Sequence, residues 1–423
     1  MKDKHASGAP AVHTEDPAKA FKKGDAPDGG INPADERPFV VFYTPETENA
    51  PEIIAVFNPS TPDRTEAIKG LAGSPIPFLR NSFDLLHSLG AKTVGIACNT
   101  MHYWLNRQMD ENPDSLYPKE IATAHMIEGT ADVAAERKIK TVGLLATTGT
   151  TNTKLYQDAC RARDISVITL GQKPKPDSDW LDAKGRVKKE FYQQHGVKED
   201  GSISEKDFSK LKDALVELLG EQEGLVMESI YGVFGIKAGY TTGAAKMLMD
   251  EAAERLVERG ADALILGCTE VPLVLEGKTK TIAGKKVALI DTTQVVADRL
   301  AAAGKEGLAV GIAGGLGPAA TIDMLQKMGV EKTATDFLTA IYNETIAQLR
   351  QAGVAITDRE HVKFIFLQAR EENMPHYQRL AIKMGHLFYI KVAKDARQHI
   401  PQLVTEALAH KKEVRAAAAR RTA

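Results

Sequence analysis

Cysteine is nearly absent from this chain of 423 residues: Cys98, Cys160 and Cys268 are all there is. An odd, sparse set, behind an N-terminal stretch with no apolar export segment, excludes a disulfide framework and reads as free thiols. Charge of one sign is also missing. Lys and Arg number 54 against 56 Asp and Glu, so no basic field exists to gather nucleic acid. No apolar run approaches the ~20 residues that a membrane helix needs. These absences predict a cytoplasmic protein with neither nucleic-acid nor membrane partners.

What remains is an ordinary globular composition, 43% hydrophobic and 26% charged. The length exceeds the ~250–300 residues at which single cores stop growing, which predicts two or three folded units.

Two segments resemble each other. Val94-Gly95-Ile96-Ala97-Cys98-Asn99-Thr100 and Leu264-Ile265-Leu266-Gly267-Cys268-Thr269-Glu270 each run from small and branched apolar residues, the pattern of a buried strand, into a cysteine and helix-capping residues. Similar segments recur along the chain. Phe39–Tyr43 and Ile53–Phe57 read as strands, and Pro62-Asp63-Arg64-Thr65 precedes a helix. Residues 75–89 have helical apolar spacing, ended by Gly90, and 126–135 read as a helix. Residues 140–146 are strand-like and end in the hydroxyl-rich turn Thr147-Thr148-Gly149-Thr150-Thr151. Beyond Cys268, 287–291 form a strand and helix pair with the residues up to Leu300.

Near-continuous apolar strands alternating with helices predict a parallel α/β sheet, and two such groups predict two pseudosymmetric α/β lobes with a site between them. The divisions expected are a disordered tail over 1–36, a first lobe over 37–140, a second over 141–303, and a mainly helical extension over 329–423. Within the second lobe, 171–223 is rich in Lys, Asp, Pro and Gly and reads as an insertion, more a solvated surface excursion than a lid.

Residues 308–321 form a strand and then a glycine-rich turn, Gly314-Gly315-Leu316-Gly317-Pro318, opening a helix at Pro318. Gly315 and Gly317 permit close approach of backbone amides to an anion. The spacing does not match a dinucleotide fingerprint, and no nucleotide site is expected.

A thiol at the carboxyl end of a strand, beside a helix N-terminus, lies where α/β sheets bind ligands and where the helix dipole favours thiolate. A lone cysteine of this kind is more often structural. Two in matching contexts suit inversion at a carbon acid, in which one thiolate removes the α-proton and the opposite thiol delivers another. Developing carboxylate charge then needs donors, which Thr100, Thr269, the 147–150 turn and backbone amides supply.

Pro62-Asp63-Arg64-Thr65, Cys98-Asn99-Thr100-Met101-His102, Leu144-Leu145-Ala146-Thr147-Thr148-Gly149-Thr150, Ile236-Lys237-Ala238-Gly239, Gly267-Cys268-Thr269-Glu270 and Gly314–Thr321 together resemble the cofactor-independent aspartate/glutamate racemase superfamily, most closely its aspartate racemase branch. The resemblance spans roughly residues 50–328 apart from the insertion. It implies Cys98 and Cys268 as the acid/base pair, with no pyridoxal phosphate and no metal. It implies Asn99, Thr100 and Thr269 on the substrate's α-groups and Thr147, Thr148 and Thr150 on its carboxylate. Arg64 and Lys237 would bind the carboxylates of an acidic amino acid, aspartate or glutamate. Glu270 would hydrogen-bond within the site or cap its helix, and a homodimer is implied. Each has a plainer reading: Arg64 braces the Asp63 turn, Lys237 is a solvated loop residue, His102 is a satisfied structural histidine. Cys160 has no motif and reads as packing. A dicarboxylate isomerase or decarboxylase of the same superfamily, maleate isomerase-like, remains an alternative. So does a non-catalytic ligand-binding protein on a racemase scaffold.

The chain departs from the family in one respect. The glycine-rich turn opens the chain in the family and here follows both cysteines. Either the chain is circularly permuted, with 308–328 completing the first lobe, or a partial second copy begins at Leu308, which the faint likeness at Asp358–Val362 supports. The supply of strands favours permutation, because the first lobe otherwise lacks its opening strand.

Overall fold

The computed structural model describes residues 38–44, 46, 50–58, 61–111, 120–182, 185–314, 318–330 and 387–392, with isolated positions between 332 and 343. The expectations for 1–36 and for most of 329–423 lie outside the described residues. So do Gly315 and Gly317.

The apolar runs form strands where the alternation places them, and they assemble two sheets. In chain order the first unit supplies β1 (Pro38–Thr44), β2 (Ile53–Phe57), α1 (Arg64–Ile68), α2 (Ile76–Ser88), β3 (Thr93–Ile96), α3 (Met101–Glu111), β4 (Ala122–Ala124) and α4 (Met126–Glu136). The second supplies β5 (Thr141–Ala146), α5 (Thr148–Asn152), α6 (Leu155–Arg161), β6 (Ser166–Ile168), α7 (Lys189–Gln194), α8 (Glu205–Leu219), a π-helical turn over Gln222–Met227, and α9 (Glu228–Tyr231). It continues through a 3-10 turn over Ile236–Ala238, α10 (Gly243–Glu258), β7 (Ala263–Gly267), β8 (Thr279–Ile282), β9 (Lys285–Asp291) and α11 (Thr292–Gly304). The chain then returns through β10 (Val310–Gly314) and α12 (Pro318–Lys327), and β11 is Leu387–Val392.

One sheet has the strand order β11-β1-β2-β10-β3-β4 and the other β6-β5-β7-β9-β8. β10 lies between β2 and β3, parallel to both, with Val310 opposite Ile53 and Thr93. Every residue of β10 is buried, as a strand covered on both faces by helices must be. The chain's glycine-turn strand therefore belongs to the sheet that precedes Cys98. Each sheet is parallel except at one edge, where β1 and β11 in the first and β8 in the second pair antiparallel.

The two sheets are joined through α11. Gly95 in β3 has no side chain because α11 lies flush against it: a β-carbon there would stand 2.5 Å from Val296 and 2.9 Å from Leu300. Val296 and Leu300 share a core cluster with Ile53, Val310 and Ile312 of the first sheet.

Two expectations are corrected. The extension over 329–423 reads as mainly helical, but within it Leu387–Val392 is a strand paired antiparallel with β1, Phe388 opposite Phe42. Its Leu-Phe-Tyr-Ile-Lys-Val composition is rich in aromatic and branched residues, which favour extended backbone. The segment 171–223 is a solvated excursion only at its start, where 171–180 are mostly exposed. Phe191 and Tyr192 of α7 and Phe208, Leu211, Leu215 and Leu219 of α8 are buried in the same core cluster as Leu264 and Leu266 of β7. Ser204 caps α8 by accepting from the Asp207 amide. The charges of α8 itself occupy the outward face of an amphipathic helix.

Candidate active site

Each thiol stands just beyond a central strand. Cys98 follows β3 by two residues and is half-buried, and Cys268 follows β7 directly and is buried. Asn99, beside Cys98, is also buried; its amide nitrogen donates to Thr292 Oγ1 at 3.4 Å, and Thr292 Oγ1 donates to the Leu266 carbonyl at 3.0 Å. The turn carrying the first thiol is thus tied to the strand that delivers the second.

Thr100 faces the hydroxyl turn of the other lobe. Its Oγ1 lies 2.9 Å from Thr150 Oγ1 and 3.4 Å from Thr147 Oγ1. Thr147 caps α5, accepting from the Thr150 amide at its N-terminus. Gly149 allows the lobes to approach here, since a β-carbon would fall 2.7 Å from Thr65 Oγ1 on α1. Arg64, the preceding residue, is buried at the start of α1, whose cap is Asp63, accepting from the Glu66 amide. Thr148 is engaged differently: its hydroxyl donates to Glu223 Oε1 at 2.5 Å, and Lys175 lies 3.6 Å from the other Glu223 oxygen.

Around the second thiol, Glu270 organises the polar groups. Cys268 Sγ donates to Glu270 Oε2 at 2.9 Å and Thr269 Oγ1 donates to the same atom at 3.0 Å. Lys237 Nζ donates to Glu270 Oε1 at 2.5 Å and lies 5.2 Å from the centroid of the Tyr231 ring. Lys237 is buried, which corrects the solvated-loop reading. Burial, and then the Glu270 carboxylate, push the Cys268 thiol well above the ordinary thiol range, so it rests protonated. Asp323 of α12 is near enough to Glu270 to feel its charge; burial raises its carboxyl, while Lys327 bonds to both Asp323 and Asp291.

His102 is fully buried. The Met126 amide donates to its Nε2 at 3.1 Å, so its Nδ1 carries the proton and donates to the Cys98 carbonyl at 2.9 Å. Burial, with His125 beside it, lowers it to about 3, and the ring stays neutral. It clamps the Cys98 turn to the start of α4. Cys160 is buried in α6, and burial raises its thiol to about 11.

Three residues of this neighbourhood escaped the sequence reading: Tyr156, Thr292 and Glu223. Tyr156 OH donates to Asn99 Oδ1, 57 positions away and in the other lobe. Thr292 had one visible signal, since Asp291-Thr292-Thr293 is a third strand end passing directly into a helix.

Among the described residues there is no group of three His, Cys, Asp or Glu arranged to hold a metal ion, and no helix is long and apolar enough to cross a membrane.

Residues 43–195 and 218–300 match the family described as Asp/Glu/Hydantoin racemase. The interruption falls on 196–217, which contains most of α8, and the match ends before β10. An uncharacterized protein in the pnlA 3' region of Pectobacterium carotovorum subsp. carotovorum is 30% identical over 156 residues, 37% of this chain and 69% of that protein. Among solved structures, the aspartate racemase of Picrophilus torridus is 21% identical with a TM-score of 0.35, covering 58% of this chain and 77% of its own. The glutamate racemase from Francisella tularensis subsp. tularensis SCHU S4, in complex with D-glutamate, is 16% identical with a TM-score of 0.36, covering 63% and 78%.

Proposed function

The chain belongs to the Asp/Glu/Hydantoin racemase family, and from that premise we propose that it racemises an acidic amino acid, aspartate or glutamate, by proton transfer between Cys98 and Cys268 without a cofactor. The observation that carries the reading is the polar bridge from Asn99 through Thr292 to Leu266, which ties the turn bearing Cys98 to the strand that delivers Cys268.

In this mechanism the Cys98 thiolate, on the more open side, removes the α-proton of one enantiomer, and the protonated Cys268 delivers its proton to the opposite face. Glu270 holds the Cys268 proton through the 2.9 Å contact and sets the direction of the thiol. The reverse direction begins with the thiols in exchanged protonation states. As negative charge develops on the α-carboxylate, Thr100, Thr147 and Thr150 and the amides opening α5 offer preorganised donors. Thr269 and Asn99 flank the two thiols and orient the α-groups. The buried cations Arg64 and Lys237 favour a second carboxylate on the substrate. Gly315 and Gly317, outside the described residues, belong to the same proposal by sequence alone, as backbone donors preceding Pro318.

A second reading, a ligand-binding protein without turnover, draws on one observation: Thr148 and Lys237 already hold the internal carboxylates of Glu223 and Glu270. Incorporation of solvent deuterium at the α-carbon of D- and L-aspartate and glutamate separates the two. Exchange that disappears in both Cys98→Ala and Cys268→Ala supports the two-thiol racemase; binding with no exchange in the native protein sinks it.

A further inference from the structure

Tyr156 is fully buried, on α6 of the second lobe, and had no part in the mechanism above. Its hydroxyl donates to Asn99 Oδ1. Burial holds the phenol in its protonated form, outweighing the Thr130 and Thr292 side chains that bond to it and favour phenolate, so it is always available as a donor. Its ring lies against the strand end before the second thiol: a β-carbon on Gly267 would come 3.3 Å from Tyr156 Cε2.

The donors and acceptors form a chain with one polarity. Tyr156 O–H is donated to Asn99 Oδ1, an Asn99 N–H to Thr292 Oγ1, and Thr292 O–H to the Leu266 carbonyl. An asparagine amide can turn over and exchange oxygen for nitrogen, and only its partners decide which way it faces. Here the obligate phenol donor decides it. With Oδ1 committed to Tyr156, one Nδ2 hydrogen goes to Thr292, and the direction of the other is fixed with it. Without the phenol proton the amide can reverse. Thr292 would then have to donate to Asn99 Oδ1 and release Leu266, two residues before Cys268.

We propose that Tyr156 is a positioning residue for the reaction: through Asn99 and Thr292 it fixes the facing of the Cys98 turn and ties it to the Cys268 strand. The catalytic half of this inference rests on the racemase reading, and the positioning half does not.

The test uses the full chain with Tyr156→Phe, Asn99→Ala and the double variant. It measures α-deuterium exchange with D- and L-aspartate and glutamate, the rate of Cys98 alkylation by iodoacetamide mapped by peptide mass, and thermal melting. Tyr156→Phe keeps the ring and is expected to lower kcat at least ~10-fold in both directions with KM changed less than about 3-fold. Because both variants act on one amide, adding Tyr156→Phe to Asn99→Ala should cost little further activity. A role confined to stability would lower the melting temperature and leave kcat alone. Native exchange rates in Tyr156→Phe, or losses that multiply in the double variant, overturn the inference and leave the racemase reading standing. If the native protein exchanges none of the four substrates, the racemase reading fails by itself, and Cys98 alkylation decides. A change of at least ~3-fold in Tyr156→Phe then supports the positioning role, and an unchanged rate overturns it. Should Tyr156→Phe not fold, Thr292→Val breaks the same chain one link further on, with the same outcomes expected.

Discussion

The Cys268 side chain shows how far one carboxylate can set a thiol's chemistry. Glu270 accepts its proton and repels its thiolate, while Lys237 on the far oxygen moderates that charge. For the direction in which Cys268 acts as base, kcat/KM should rise toward alkaline pH. Glu270→Gln removes the repulsion and leaves Lys237, so the rise should move to lower pH. The pH–rate profiles of both enantiomers check this, and a profile that does not move denies Glu270 the role. The same substitution removes one partner of a buried ion pair, a change that costs about 3–5 kcal/mol of stability. Glu228 gives a second test at this scale. Burial raises its carboxyl from 4.5 to about 7, although Tyr192 donates to it at 2.5 Å. A carboxyl raised in the folded state is most favourable below its unfolded value, and its contribution is lost as pH rises through the folded one. That amounts to about 3 kcal/mol between pH 4.5 and 7. Across the same interval the buried His102, lowered to about 3, works in the opposite sense, so the test is a difference: the melting temperature of Glu228→Gln should gain on that of the native protein as pH rises from 4.5 to 7, and a difference that does not change with pH refutes it.

At the scale of elements, α1 and α5 meet across the two lobes only because Gly149 leaves room for Thr65. Gly149→Ala should part the hydroxyl turn from Thr100 and reduce turnover at least ~10-fold, since small misplacements of a site are costly. Thr65→Ala in the same chain should restore most of it. Failure of that rescue would locate the damage in α5 itself. The elements most legible in the sequence are β3 and β7, whose unbroken apolar runs end at the thiols, and α5, whose Thr147 cap follows a strand directly. Less legible are the joins between them. Lys237 and Glu270 are 33 positions apart, Thr100 and Thr150 are 50 apart, and the partners of each are set by tertiary approach. The strand β11 was hidden because its six residues carry almost no polar positions, so neither a helical nor an extended period stands out. The residues of α8 show their apolar spacing only when Phe208, Leu211, Leu215 and Leu219 are separated from the charges around them. Leu215→Ala should cost about 2–5 kcal/mol in denaturant unfolding; a loss under about 0.5 kcal/mol would return the helix to the surface.

The whole molecule depends on a strand that comes late in the chain. β10 fills the centre of the first sheet, and α11, packed on that sheet through Gly95, leads into it. A chain ending at Ala303 leaves β2 and β3 without their shared partner and exposes Ile53, Ile96 and their neighbours. It should lose cooperative unfolding and substrate binding together; retention of both would show that the first sheet closes without β10. The order of synthesis gives this arrangement a further consequence. At ~5–20 residues per second, the ribosome emits β2 and β3 well before Val310, and in that interval the two strands that will flank β10 present open edges. The second lobe, whose strands are contiguous in the chain, can complete its sheet first. The first lobe must wait for its keystone, and during that wait it is the part of the chain most exposed to wrong pairing and most in need of a chaperone.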